Sequence, residues 1–143
     1  MRGSTGDFFS SFLNRVSHLI TDMKDRKLVG GDRIIVLGVS RGGYLALRTA
    51  ALDSRITDVI VLAPVTDLTR LEEFSAVTVN QSIYGLDKIA STLANRHLFL
   101  QIGSADSRVG THEVLHLVDT ITASYRGAAI DLTLIVTDRK SVV

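Results

Sequence analysis

Ser40 is the side chain in this sequence best placed to act as a nucleophile. It lies between Gly38 and Gly42 in the pattern G-x-S-x-G, directly after the apolar run at 34–37 and directly before a helical pattern at 44–51. Glycines on both sides allow the strand and helix backbones to pass close to a serine that is exposed on a tight turn. The N–H groups at the start of the following helix would stabilise negative charge beside the serine. The pattern therefore predicts a strand, a sharp turn and a helix that present Ser40 for covalent catalysis.

Two aspartates could support such a serine. Asp67 and Asp106 each follow a predicted strand, as Ser40 does, and parallel sheets bind ligands beyond the carboxyl ends of their strands. We therefore expect the three residues to lie at one edge of the sheet. Asp106 is the candidate acid that would orient a catalytic base, with a loop aspartate that caps the next helix as the alternative. Asp67 is either a rival acid or an ordinary turn residue after Pro64.

The pattern H-E-x-x-H, which is typical of zinc proteases, occurs at residues 112–116. Two histidines four residues apart on a helix can bind Zn²⁺ while the glutamate activates water. Apolar residues at helical spacing predict the buried side of this helix: Val114, Leu117, Val118, Ile121 and Tyr125. His112 and His116 would then face solvent, and no glutamate follows Glu113 as a further ligand. The motif indicates a polar helix face, with a zinc enzyme as the less favoured alternative, and we expect no metal or other cofactor.

Hydrophobic periodicity predicts alternating helices and strands. We expect helices at 8–26, from the serine turn to about 52, at 86–95 and at 111–125, the last with Thr111 as its N-cap. We expect strands at 33–37, 58–63, 97–102 and 131–136. Phe74 and Tyr84, in the irregular segment 65–85, would line a substrate pocket or join the core. The predicted fold class is α/β, a mostly parallel sheet of about four strands with helices on both faces.

Composition limits the classes of function. The 143 residues carry a net charge of +1, which gives no electrostatic argument for nucleic acid or an anionic membrane. The sequence has no cysteine, which excludes disulfides and thiolate chemistry and fits a reducing compartment. We therefore expect a cytoplasmic protein with no membrane span. We expect residues 1–7 to be a flexible leader and residues 8–143 to form one domain.

Three segments resemble the α/β-hydrolase fold and, within it, the prolyl-oligopeptidase-like serine hydrolases. They are residues 38–43 around Ser40, residues 63–68 around Asp67, and residues 103–109, where an aspartate stands three residues after a glycine and three before a valine. The resemblance covers about residues 8–137 and implies hydrolysis of an ester or peptide through an acyl-enzyme. It implies that Ser40 is the nucleophile, Asp106 the triad acid and the backbone N–H of Arg41 one oxyanion-hole donor. The Arg41 side chain would meet an acidic substrate group or form a salt bridge.

The sequence departs from this family in two places. The triad histidine of the family follows the last strand, but residues 137–143 of this chain contain no histidine, and a serine hydroxyl is a poor nucleophile without a base. His112 is the histidine nearest to Asp106 in sequence, which makes it the one candidate substitute base. The predicted strands resemble only the C-terminal half of the family's sheet, so we expect an incomplete domain that lacks the second oxyanion donor.

The predicted function is therefore that of a serine hydrolase-type domain that acts on a small ester or peptide and is incomplete as given. The alternative is a non-catalytic, hydrolase-like module for binding or oligomerisation. An incomplete sheet would leave the strand at 33–37 on an open apolar edge, which favours a homo-oligomer through that edge.

Overall fold

Helices alternate with strands in residues 9–74, 84–127 and 129–138, which the computed structural model describes. The helices are α1 (Ser10–Asp25), α2 (Arg41–Leu52), α3 (Ala90–Leu93) and α4 (Thr111–Ser124). The strands are β1 (Ile34–Val39), β2 (Ile56–Leu62), β3 (His97–Gly103) and β4 (Leu132–Thr137). Short 3₁₀ turns occupy Leu68–Arg70, Glu72–Phe74 and Leu86–Ile89 between β2 and α3. The predicted leader lies outside the described residues, and none of the described helices is long and apolar enough to cross a membrane.

The four strands form one parallel sheet in the order β1-β2-β3-β4. Gly38 pairs with Val61, and Leu100 pairs with both Val61 and Leu134, so the register runs across the whole sheet. Because all strands run in one direction, their carboxyl ends meet at a single edge. The predicted fold class, a parallel four-stranded sheet with helices, is confirmed.

The helical cover differs between the two faces of the sheet. Ile34 and Val36 of β1 pack against the core beneath α2, which contributes the fully buried Tyr44 and Leu47. The alternate residues Ile35 and Leu37 are 57% and 64% exposed. Because successive strand side chains point to opposite faces, the described helices cover one face at β1. Helices on both faces of the sheet were expected from the apolar strands. In the described part of the chain, no helix covers the face of β1 to which Ile35 and Leu37 point.

Two local predictions need correction, and the alternatives left open for Tyr84 and Phe74 are resolved in favour of the core. The helix expected at 86–95 is a 3₁₀ turn followed by the short α3. Thr111 is not the N-cap of α4, because Gly110 with φ of 83° takes that position and the Thr111 hydroxyl instead donates to the Gly103 carbonyl at 2.5 Å. Tyr84 is a core residue whose carbonyl accepts a hydrogen bond from Tyr44 at 2.7 Å. Phe74 packs against the same core, while 75–83 lie outside the described residues.

Candidate active site

Ser40 occupies the turn between the end of β1 and the start of α2. Its φ of 54° and ψ of −119° fall in a region that residues with a side chain rarely adopt. The turn is held by its backbone, because the Ser40 N–H donates to Leu62 O at 2.9 Å and the Ser40 carbonyl accepts from Gly43, Tyr44 and Val65 at 3.0, 3.3 and 3.1 Å. These bonds tie the serine to both the neighbouring strand and the helix, so its strained backbone is stabilised by its surroundings.

The hydroxyl of Ser40 does not serve the usual structural role of a serine before a helix. A serine at an N-cap normally has extended backbone angles and accepts a hydrogen bond from the second or third helical N–H. Ser40 has a positive φ and makes no side-chain cap to α2. Helix capping therefore does not explain a serine here.

The glycines around Ser40 have unequal roles. A Cβ on Gly38 would lie 2.2 Å from the backbone oxygen of Gly42, and one on Gly43 would lie 2.9 Å from the Cβ of Pro64. A Cβ on Gly42 itself would meet nothing within 4 Å. Both glycines of G-x-S-x-G were expected to permit close packing. Gly38 does so because it has no Cβ, whereas at Gly42 it is the backbone that lies close to Gly38.

Arg41 is the first residue of α2, where a backbone N–H has no acceptor within the helix. Its N–H directly follows Ser40 in the chain. Its side chain donates to Glu73 at 2.6 Å, and both side chains are exposed. The arginine is salt-bridged, and such an exposed pair contributes little to stability.

Asp106 lies three residues beyond the end of β3, in a loop that fixes its carboxylate. Its Oδ1 accepts hydrogen bonds from the N–H groups of Arg108 and Val109, each at 3.0 Å. The Asp106 N–H is within reach of Gly103 O at 3.3 Å and of the Thr111 hydroxyl at 3.2 Å. The carboxylate therefore orders the loop before α4, while Gly110 and not Asp106 stands at the N-cap.

Asp67 caps the 3₁₀ turn that follows it. Its Oδ1 accepts from the Thr69 N–H at 2.9 Å and from the Thr69 hydroxyl at 2.6 Å. The turn interpretation of Asp67 therefore agrees with these bonds. Ser40, Asp67 and Asp106 follow β1, β2 and β3, which are adjacent and parallel, so all three lie at the carboxyl edge of the sheet as predicted.

The histidines do not complete this group. His97 begins β3 at the amino edge, where its Nδ1 lies 3.2 Å from Asp58 Oδ1. His18, His112 and His116 are exposed. Among the hydrogen bonds and ion pairs of the described residues, none joins His112 to Asp106 or Ser40.

The two histidines of the H-E-x-x-H segment are exposed, as expected from its helix, and Glu113 and His116 line a pocket beside α4. Val114, Leu117 and Ile121 form the buried side of α4, while His112 and His116 are exposed. Within the described ranges no group of three histidine, cysteine or acidic side chains is placed to hold a metal ion.

Charged side chains also form a ladder at the amino edge, at the start of the four strands. The Arg33 guanidinium makes two hydrogen bonds to Asp58, whose carboxylate also accepts from the Thr57 hydroxyl at 2.5 Å. His97 follows at 3.2 Å from Asp58 and 4.0 Å from Asp131. The bonds from Arg33, and then from Thr57, hold the pKa of the Asp58 carboxyl well below its usual range.

A buried hydroxyl near the candidate site was not among the residues predicted from the sequence. Thr66 is 9% exposed, and its Oγ1 has no hydrogen-bond partner among the residues that the structure describes. It lines a pocket of about 150 Å³ together with Asp67, Asp87 and Glu113. No local signal marks Thr66, because its burial depends on packing between segments that are distant in sequence.

The parallel sheet, its helices and the turn at Ser40 form part of an α/β-hydrolase fold. The class of protein is therefore that of the α/β-hydrolases. The chain superposes on an esterase from Pyrococcus furiosus with a TM-score of 0.71 and 19% identity, over 96% of this chain and 56% of the esterase. It superposes on 2,6-dihydroxy-pseudo-oxynicotine hydrolase with a TM-score of 0.64 and 22% identity, over 90% of this chain and 39% of that one. A puromycin-hydrolyzing peptidase from Mycobacterium tuberculosis matches with a TM-score of 0.67 and 12% identity, over 88% and 21% of the two chains.

The sequence profile of the prolyl oligopeptidase family matches residues 9–140, and the chain belongs to this family. It spans just over half the length of the esterase. A comparison with curated proteins finds no match.

Proposed function

We propose that the chain is a serine hydrolase-type domain that transfers an acyl group from an ester or peptide to water through Ser40. The observation that carries this proposal is the backbone of Ser40, which is held at a φ of 54° at the carboxyl edge of the sheet without capping the helix. Strain of this kind persists where surrounding structure enforces it, and it clusters at functional sites.

The proposed roles follow from position. The Ser40 oxygen attacks the carbonyl carbon of the substrate, and the Arg41 N–H donates to the oxygen that becomes negative. A base takes the serine proton and returns it to the leaving group, after which water releases the acyl group from Ser40. Asp106, with its carboxylate fixed by the N–H groups of Arg108 and Val109, would orient that base.

The base is the element that the described residues do not supply. No described histidine hydrogen-bonds to Ser40 or Asp106, and residues 137–143 contain none. We therefore propose that the domain as given is incomplete and that full activity requires a base from outside these 143 residues. The similar structures named as an esterase and a peptidase support an ester or peptide as the substrate class.

Labelling with a fluorophosphonate probe tests this function. We expect slow labelling at Ser40 in the chain as given and rapid labelling in a gene product extended at both ends, with none at this site in Ser40→Ala. Negligible labelling of Ser40 in both forms would contradict the proposal.

A second candidate function, a non-catalytic module that associates through its sheet edge, is favoured by one observation. Among the described strands β1 pairs with β2 alone, and its side chains Ile35 and Leu37 are more than half exposed. Open apolar edges favour pairing with another chain. Sedimentation at micromolar concentration should show an oligomer that Ile35→Lys dissociates, while Leu19→Lys on the exposed side of α1 does not. A monomeric chain would exclude this function.

A further inference from the structure

Two exposed histidines of α4 lie outside the chemistry proposed for Ser40. His112 and His116 stand four residues apart in Thr111–Ser124, a regular helix of 14 residues. Side chains four residues apart on a helix are neighbours, with about 5–6 Å between their Cβ atoms. The helix therefore places two imidazoles next to each other on its exposed surface.

The protein makes no other use of these two rings. Among the hydrogen bonds, ion pairs and ring contacts of the described residues, none involves the imidazole of His112 or of His116. The ring of His97, in contrast, is bound to Asp58 at 3.2 Å. A neutral imidazole keeps one nitrogen as an acceptor, and it is the commonest metal ligand among protein side chains. Both rings can therefore direct a nitrogen toward a shared ion.

The helix holds the two residues in place before any ligand binds. Val114, Leu117 and Ile121 anchor α4 in the core and are at most 4% exposed. The first turn is fixed as well, because the N–H groups of Glu113 and Val114 donate to Gly110 O at 3.1 and 3.3 Å. A second ligand held at a short fixed distance acts at high effective concentration. Two rings on a stable helix should therefore bind one ion more tightly than either ring alone.

The charges of α4 favour a cation on balance. The pair lies in the first two turns of the helix, where the helix dipole opposes positive charge. The carboxylates of Glu113 and Asp119 offset this effect, since α4 contains these two acidic residues and no lysine or arginine. No side chain of the helix therefore repels a bound cation.

We propose that His112 and His116 together chelate one divalent transition-metal ion of the kind that prefers imidazole, such as Cu²⁺ or Zn²⁺. The ion takes two ligands from the protein and completes its coordination with water. This differs from a three-ligand zinc-protease site, for which no group of three histidine, cysteine or acidic side chains is placed within the described ranges. The chelate needs no contribution from Ser40, so it holds whether or not that residue is acylated.

NMR titration of the chain with Cu²⁺ tests the chelate, because this paramagnetic ion broadens the signals of nearby nuclei. We expect substoichiometric Cu²⁺ to broaden the ring signals of His112 and His116 together, before those of His18 and His97. Calorimetry should give one ion per chain, with a dissociation constant of about 1–10 µM for Cu²⁺ and one at least about tenfold higher for Zn²⁺. Earlier or equal broadening at His18 or His97 would overturn the proposal.

Single and double variants distinguish one shared ion from two separate ones. His112→Ala and His116→Ala should each weaken Cu²⁺ binding at least about tenfold, and the double variant should lose little more, because one ring alone cannot chelate. His18→Ala, at an exposed histidine of α1, is the matched control and should change the affinity less than about twofold. Additive losses in the double variant, or an equal loss in His18→Ala, would contradict a common site.

The acidic residue between the histidines provides a further control. Glu113→Gln should change Cu²⁺ binding less than about threefold, because the carboxylate contributes charge and is not a ligand. A loss as large as that in His116→Ala would make Glu113 a third ligand and overturn the two-histidine site.

Binding by the unfolded chain tests the role of the helix. In denaturing urea the parent chain should bind Cu²⁺ no more tightly than folded His116→Ala does, because the spacing of the two rings is lost with the helix. Full affinity in urea would contradict the dependence of the site on α4, irrespective of the labelling of Ser40.

Discussion

The two edges of one parallel sheet are built in opposite ways. At the amino edge, Arg33, Asp58 and His97 form a continuous ladder in which the buried carboxylate of Asp58 accepts from three side chains. At the carboxyl edge, Ser40 keeps a strained backbone and the buried Thr66 hydroxyl has no partner among the described residues.

This difference separates groups that stabilise the fold from groups that are available to a ligand. Satisfied charges gain most of their interaction within the protein, whereas strain and an unpaired buried hydroxyl reduce stability and persist where function requires them. Substitutions at the amino edge should therefore change stability, and those at the carboxyl edge should change reactivity or raise stability.

Gly38→Ala should have the largest effect. The new Cβ would meet the Gly42 carbonyl at 2.2 Å, and because backbone atoms cannot move aside easily, we expect a loss of about 3 kcal/mol or more in the free energy of unfolding. Gly42→Ala is the matched control, since its Cβ meets nothing within 4 Å, and it should gain about 0.5–1 kcal/mol from helix propensity. Urea denaturation measures both, and equal effects would contradict the close packing at this turn.

Asp58→Asn should be the most destabilising change among the charges of the ladder. The side chain of Asp58 is 10% exposed and that of Arg33 is 67% exposed, so loss of the charge should cost about 2 kcal/mol of unfolding free energy. Asp131→Asn, at an exposed side chain of the same edge, should stay within about 0.5 kcal/mol. Similar losses in the two variants would refute the ladder as a source of stability.

The free energy of unfolding should depend on pH through the same carboxyl group, that of Asp58. The pKa of Asp58 is lowered in the folded state by its bonds to Arg33 and Thr57. The contribution of Asp58 to the free energy of unfolding is therefore complete above its pKa in the unfolded chain, which is about 4, and is lost as the pH falls below that value. Urea midpoints between pH 3 and pH 6 (about the range in which carboxyls titrate) should fall on acidification. The fall should be smaller in Asp58→Asn, and an unchanged slope in that variant would count against the assignment.

Ser40→Gly should have a smaller effect of the opposite sign. Glycine adopts a φ of 54° without strain, so we expect a gain of about 1 kcal/mol in unfolding free energy. Ser40→Ala keeps the strain and should remain within about 0.5 kcal/mol of the parent. A loss of stability in Ser40→Gly would show that the turn is not strained at this residue.

The sequence could predict those features that arise from local pattern. The strands at 34–39 and 97–103 were expected within two residues because they are apolar runs bounded by turns, and the placement of Ser40 and Asp106 at one edge followed from parallel strands. The prediction of Thr111 as the N-cap of α4 was wrong because the Thr111 hydroxyl donates a hydrogen bond across the loop to Gly103 O at the end of β3. Thr66 lines a pocket together with residues of α4 and of the 3₁₀ turn at Leu86–Ile89, and no local spacing predicts this placement.

The uncovered face of the sheet at β1 was likewise not predictable from the local sequence pattern. Apolar residues on both sides of β1 predicted two layers of helices, but the pattern says only that a residue is apolar and not what covers it. In the described residues Ile34 and Val36 find partners in the core, while Ile35 and Leu37 do not.

The most direct test of the account is whether Ser40 is presented for attack but lacks a base. Fluorophosphonate labelling, mapped to individual serines with and without added imidazole, measures this, because imidazole can act as the missing base. We predict that imidazole accelerates labelling of Ser40 but not of the exposed Ser104 at the same edge, and that Ser40→Ala abolishes the accelerated labelling. Equal acceleration at both serines, or no labelling of Ser40 in either condition, would contradict the account.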